Sequence, residues 1–289
     1  MSTNSRKNWF KRLFAIRGMG QVITVFFGLI GLCLVFYFIN KNFLSERNVA
    51  NLLRQIAPYL IISIGQGYVL ITGNIDLSIG SVIGMSTMIS ATLMTKGMDP
   101  WLATVVTMLP CLLTGLVNGF LVATCKLPPF IGTLGTMTIA RGVAQLVNGN
   151  MNTDAIGAGA AVWRDFLYYG KTLGVYNTFW IAIVLWFIFN YLLSRTRTGR
   201  HIYAVGSNVD ASKLSGVDVA ATTTKAYVVS AFCAGVVGLI TCAQAGMGAM
   251  DAGNGYEMYA VAASVIGGIS TLGGQGILLG NIVGASVWG

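Results

Sequence analysis

Residues 71–84 read ITGNIDLSIGSVIG, and their Asp76 is the only charged residue between Arg54 and Lys96. The stretch decides how the chain is read, because it interrupts an apolar run with a turn and a carboxylate. One apolar helix ends at Thr72-Gly73-Asn74, and the next begins after Ile75-Asp76-Leu77-Ser78. An aspartate or serine there accepts hydrogen bonds from the free backbone N–H groups of the new helix and favours its positive end. The same break suits the cytoplasmic mouth of a pathway, since irregular backbone at membrane depth is tolerated only inside protein or along a cavity. Asn74, Asp76 and Ser78 are the pathway candidates under the second reading, and the residues alone leave both readings open.

The surroundings place this break in a membrane. Charged residues form 9% of the 289-residue chain, against about 25% in a soluble domain. Hydrophobic residues reach 55%, and the mean hydropathy is +0.71. Apolar runs recur near residues 21–39, 56–72, 79–95, 101–123, 130–148, 178–194 and 225–245, with shorter segments near 258–270 and 276–289. All read as helices, because unpaired strand edges are not tolerated in lipid. The expected fold is all-α, a polytopic membrane protein with about eight to nine transmembrane or partly transmembrane helices.

The net charge of +9 comes from short polar blocks, not from a basic patch interleaved with aromatics, which argues against a nucleic-acid partner. Arg6, Lys7, Lys11, Arg12 and Arg17 precede the first span; Arg195, Arg197, Arg200, Lys213 and Lys225 lie between two later ones. If the first block is cytoplasmic, six spans return the chain to the cytoplasm at Arg195, so the two blocks agree on one orientation. Residues 1–20 then form a cytoplasmic basic N-terminus, and residues 21–289 a single transmembrane domain with a cytoplasmic loop at 195–225. The first span reads as uncleaved, since it exceeds a signal-peptide core and no A-x-A site follows. Gly149 to Asn177 becomes a large outward loop with Trp163, Tyr168, Tyr169 and Tyr176, suited either to an extracytoplasmic partner or to lying at the headgroups.

Catalytic constellations are missing from this reading. The single histidine, His201, sits in a basic loop, and five scattered cysteines lack the spacing of a metal site or disulfide framework. Gly170-Lys171-Thr172 imitates the end of a phosphate-binding loop, but that motif needs glycine where Asp165 stands. No catalytic residue, metal or cofactor is therefore expected, and any ATP hydrolysis belongs to a partner. Ion-driven carriers place carboxylates or histidines within their spans; Asp76, with Arg141 as an intramembrane cation, is thin provision for a proton relay. Glycines four residues apart, at Gly80 and Gly84, Gly115 and Gly119, and Gly276, Gly280 and Gly284, point to close helix packing.

Two further stretches carry signal. CKLPPFIGTLGTMTIARG, residues 125–142, repeats the design of the first break: Pro128 and Pro129 stop one helix, and Thr133, Thr136, Thr138 and Arg141 make the next unusually polar. Both breaks open on the cytoplasmic side in this topology, as parts of a gate or as ordinary interfacial helix ends. RTRTGRHIYAVGSNVDASKLSGVDVAATTTK, residues 195–225, holds a short helix over Asn208 to Ser215, capped by Ser207 or Asn208 and ended by Gly216. That helix reads as a docking element, or the whole stretch as a loop tied to headgroups by its arginines.

GNIDLSIGS, LPPFIGTLGTMTIARG, GRHIYAVGSNVDASKLSGV and NGYEMYAVAASVIGGISTLGGQG, in this order, resemble the permease subunits of bacterial ABC importers for sugars, the ribose, xylose and galactoside group. The resemblance covers nearly all of the chain from Asn48. It implies an inner-membrane permease, a second permease copy or homologue beside it, cytoplasmic ABC ATPase subunits, and a soluble sugar-binding protein. Gly206, Asn208, Ala211, Leu214, Ser215 and Gly216 would carry the coupling helix. Asn74, Asp76, Ser78, Pro129, Thr133, Thr136 and Arg141 would line the path or gate. Related permeases carry branched-chain amino acids or other small polar solutes, and a non-transporting membrane scaffold is the reading from another class. Asn74 replaces a family glycine and Tyr259 a common aspartate, while Glu257 is kept. Family chains run on past the position of Gly289, so this chain is expected to be truncated relative to them, its final apolar run being short for a bilayer crossing.

Overall fold

The computed structural model describes residues 19–288, so the basic block from Arg6 to Arg17 lies outside the described residues. The helices that organise the molecule are α1 (Met19–Ile39), α2 (Glu46–Ile71), α3 (Ile79–Thr95), α4 (Pro100–Gly119), α5 (Pro129–Leu146), α6 (Asn177–Arg195), α7 (Arg197–Ser207), α8 (Val209–Leu214), α9 (Val219–Ala245), α10 (Tyr256–Ile266) and α11 (Leu279–Trp288). A wide π turn, Phe120–Thr124, continues α4. A two-residue antiparallel ladder pairs Lys171–Thr172 with Val175–Tyr176. The polytopic all-α architecture matches the expectation, and among the described residues four helices are long and apolar enough to cross a membrane.

Helix starts lie earlier than hydropathy alone suggests. α2 begins at Glu46 rather than near residue 56, because Glu46 in its first turn suits the positive helix end and the polar residues up to Gln55 still belong to the helix. α9 begins at Val219, six residues before Lys225, because the Asp218 side chain accepts from the Ala221 N–H at 2.9 Å. Arg197–Ser207, read from sequence as loop, is helical: Thr196 caps it, and Ile202 and Val205 on one face are buried. Gly246, with φ +69°, ends α9 in the left-handed conformation that glycine adopts without strain.

α9 is the axis of the bundle and packs along α2, α3 and α4. Its most apolar window is 72% buried, against 6% for α1, so α1 lies at the periphery. Gly115 and Gly119 of α4 let that helix close on α9 around Tyr227, Ala231 and Thr224, and Gly280 and Gly284 of α11 do the same against Gly267 and Ala263. The glycine spacing seen in sequence thus marks real close approaches.

Two ends can be told apart by their contacts. At one, called here the basic end, the Gln21 side chain donates to the Val265 carbonyl at 2.8 Å, the Gly274 N–H donates to the Ile71 carbonyl at 2.8 Å, and Gly206 abuts both Ile71 and Gly274. Arg195, Arg197 and Arg200 belong to this end. At the other, the loop end, residues 149–177 form a packed cap. The buried Trp163 donates from its indole N–H to Thr104 at 2.8 Å, Arg164 donates to the Ala243 carbonyl at 2.9 Å, and the Arg54 guanidinium lies 4.0 Å from the Tyr176 ring and 4.7 Å from that of Tyr168. These aromatics pack on protein, which neither sequence reading of the loop anticipated.

From each end an irregular segment enters the bundle. Residues 72–78 leave the basic end and climb to the start of α3. Residues 246–255 leave the loop end, anchored where Thr153 N–H meets the Gly248 carbonyl at 3.0 Å and Gly248 N–H meets Thr153 Oγ1 at 2.8 Å. They descend until Tyr256 stacks on Tyr59, ring centroids 5.5 Å apart, well inside α2. The two segments meet at the first turns of α3, where Gly80 touches Gly253 and Glu257, and Gly84 touches Ala252 and Arg141. Only glycine leaves room there for backbone on backbone.

Candidate translocation site

Asp76 is 1% exposed and lies at the junction of the first irregular segment with α3, α4 and α9. Its Oδ1 accepts from the Ser78 N–H at 2.9 Å and from the Ser78 hydroxyl at 2.6 Å, and its Oδ2 accepts from the Ser230 hydroxyl at 2.7 Å. The Asn118 amide donates to Ser78 Oγ at 2.9 Å and reaches Asp76 Oδ1 at 3.5 Å. Thr136 of α5 then donates to Asn118 Oδ1 at 2.5 Å. Tyr227 donates to the Ile75 carbonyl at 3.1 Å and pins the extended backbone itself. One buried polar network therefore ties three helices, α4, α5 and α9, to the break.

Its depth follows from helix geometry. Ser230 lies eleven residues into α9, about 16 Å along its axis at 1.5 Å per residue. Asp76 is thus well inside the bundle, deeper than a pathway mouth at the end of a helix. The capping reading is not met: no side chain caps α3, Asp76 Oδ1 takes the N–H of Ser78 just before the helix, and Oδ2 serves α9. Burying a carboxylate is tolerable because each oxygen has donors at short range.

The remaining sequence candidates divide into groups. Asn74, half-buried, donates to Thr72 Oγ1 at 2.8 Å and shapes the turn below Asp76. Pro129 is the first residue of α5, and the buried Thr133 donates back to its carbonyl at 2.8 Å, so both serve the helix start. Thr136 joins the Asp76 network. Arg141, one turn further along α5, holds the second irregular segment: its Nη1 donates to the carbonyls of Met250 at 2.7 Å and Ala252 at 3.0 Å, and its Nη2 reaches the Gly80 carbonyl at 3.4 Å. Glu257 lies against Gly80, its Oε2 buried and without a hydrogen-bond partner among the described residues.

The coupling candidates lie apart, at the basic end. Asn208 caps α8 by accepting from the Ala211 N–H at 2.9 Å, and Gly216, with φ +79°, stands past its end. Ala211 and Ser215 are exposed, and Leu214 is 90% exposed. Gly206 is instead packed against Ile71 and Gly274, so it seats α7 on the bundle. Tyr203 of α7 donates to the Gly276 carbonyl at 2.7 Å, and burial pushes its phenol up to about 12. Sequence reasoning did not single out Asn118 or Ser230. An asparagine within the apolar run Leu112 to Val122 was a usable signal, by the argument applied to Asp76.

Comparison with known sequences places the chain in a family. The profile of the family described as branched-chain amino acid transport system / permease component matches residues 48–289. The chain belongs to that family. Within this permease family it is 34% identical over 265 residues to the ribose import permease protein RbsC of Haemophilus influenzae, covering 91% of this chain and 82% of the relative. The ribose import permease protein RbsC of Bacillus subtilis is 33% identical over 273 residues, covering 94% and 84%. The D-allose transport system permease protein AlsC of Escherichia coli is 32% identical over 250 residues, covering 86% and 76%. No solved structure matches the chain. It is a multi-pass membrane permease and a transport subunit.

Proposed function

We propose that this permease is the membrane-spanning subunit of an ATP-driven sugar importer in a bacterial inner membrane, passing a pentose or hexose by alternating access. The observation that carries this reading is the network of Asp76, Ser78, Asn118, Thr136 and Ser230 where the first irregular segment meets α3, α4 and α9. Hydrogen-bonding side chains concentrated at membrane depth suit the passage of a polar solute. The named relatives carry ribose or allose, which favours a sugar over the amino acids in the family's description.

The basic end faces the cytoplasm in this proposal, because Arg195, Arg197, Arg200 and Lys213 gather there. The exposed α8, with Ala211 and Leu214 outward, docks to a cytoplasmic ATPase subunit. The packed cap at the loop end receives a soluble sugar-binding protein, and a second permease copy or homologue completes the path. ATP hydrolysis moves α8; α7, seated on Ile71 through Gly206, passes that motion to the turn below Asp76.

The test is co-purification with the candidate ATPase, followed by uptake of ribose, allose and leucine with the matching binding proteins. The proposal expects a stable complex and sugar uptake, and expects Ala211→Trp to block assembly or uncouple ATP hydrolysis from uptake, since added bulk in a tight groove does not relax. Leucine uptake alone would make it an amino-acid permease, and stable expression without any ATPase partner would favour the scaffold.

A further inference from the structure

Beside the Asp76 network, α3, α5 and residues 246–255 enclose an open groove of about 610 Å³ whose polar lining is Ser81, Thr138, Arg141, Gln145, Asp251 and Asn254. Arg141 lies twelve residues past Pro129 and five before Leu146, about 18 Å along α5, so the groove occupies the half of the bundle nearer the loop end. Thr138, Gln145, Asp251 and Asn254 are exposed. Such groups do not face hydrocarbon, and the groove therefore opens on water or on another polar surface. Ser81 forms the buried part of the lining, and its hydroxyl has no hydrogen-bond partner among the described residues. An orphaned hydroxyl in a fully buried position carries a desolvation cost that a ligand can relieve.

The chemistry of the lining selects among ligands. Hydroxyls and side-chain amides each offer a donor and an acceptor, as every hydroxyl of a sugar ring does. Arg141 is held to three backbone carbonyls, and the Asp251 and Glu257 carboxylates lie near enough to balance its charge, so the wall suits a neutral ligand. Met137 and Met250 add soft apolar surface for the C–H face of a ring. We propose that this groove is a solute subsite of the permease for a neutral polyhydroxy molecule, in which Ser81, Gln145 and Asn254 hydrogen-bond ring hydroxyls and Arg141 fixes the wall they stand on. The subsite rests on the sugar-permease reading. It receives the solute on the loop-end side, beside the buried Asp76 network.

The test uses the assembled importer, with ribose or allose, whichever the wild type carries, and a set of its monodeoxy analogues at concentrations that saturate the binding protein. Asn254→Leu and Gln145→Leu alter exposed side chains, and uptake is expressed per assembled complex. The expected result is that each variant shifts the ratio of parent-sugar to deoxy-sugar uptake by about tenfold for one analogue, the size of one lost hydrogen bond, and leaves the other ratios in place. Ratios unmoved for every analogue in both variants would overturn the subsite and leave the sugar reading intact. A wild-type importer that carried leucine and neither sugar would overturn both.

Discussion

In sequence the breaks at residues 72–78 and 125–128 are built alike, each stopping one apolar helix and starting another. In structure they differ in what holds them. The first is buried and depends on side chains far along the chain, with Asp76 bonded to Ser230 and close to Asn118. The second lies exposed and closes on itself through backbone bonds, Cys125 N–H to the Phe120 carbonyl and Leu127 N–H to the Leu121 carbonyl, both 3.0 Å. A proline break is a backbone event that needs no distant partner. A carboxylate break needs donors brought to it, and their positions then become part of the fold.

The contrast is broken most forcefully at Asp76. Asp76→Leu takes the acceptor from the Ser78 N–H, the Ser78 hydroxyl and the Ser230 hydroxyl, at about 1–3 kcal/mol for each buried group left unpaired. Uptake should be lost and recovery of the complex should fall. Asp76→Asn keeps an acceptor for Ser78, and the Ser230 hydroxyl can turn to accept from the new amide, so most uptake should remain. Equal loss in the two variants, at normal assembly, would show that the charge itself is required.

Ser230→Ala should have an intermediate effect. It removes the donor to Oδ2 from the α9 side, costing about 1–3 kcal/mol for a buried acceptor left unpaired. Uptake should drop severalfold, with a lower unfolding temperature in detergent. Wild-type behaviour would mean that α9 does not hold the break. The smallest effect belongs to the second break, where Lys126 has φ +55°. Lys126→Gly relieves a left-handed conformation unfavourable by about 1–2 kcal/mol for a side-chain-bearing residue, partly offset by glycine's greater unfolded freedom. Thermal stability should stay level or rise slightly and uptake should be unaffected; a marked fall in uptake would give the second break the same weight in transport as the first.

Much of this was legible because hydropathy and turn chemistry are local. The sole charge between Arg54 and Lys96 marked Asp76, Gly216 and Asn208 bounded α8, and the glycine pairs marked close approaches. What was not legible is pairing at a distance. Nothing near Asp76 names Ser230, which lies 154 residues away. The descent of residues 246–255 was equally hidden, because a glycine-rich run reads as a surface turn until Arg141 is seen holding its carbonyls. The polar first turn at Glu46 escaped an apolar-run reading because it is not apolar, and the start at Val219 was cut off from its run by Thr222, Thr223, Thr224 and Lys225.

The central claim, that the first break is sealed within the bundle while the second is open, is tested most directly by thiol reactivity. Native Cys125 is exposed in the second break and serves as the internal reference, while Cys111, Cys233 and Cys242 are buried. Ser78→Cys adds a thiol beside Asp76 by a one-atom change. The purified protein is treated with a small maleimide, and each site is followed by peptide mass spectrometry. The account predicts rapid modification of Cys125 and protection of the introduced thiol until denaturant is added. Modification of the introduced thiol as fast as Cys125 in the folded protein would contradict it.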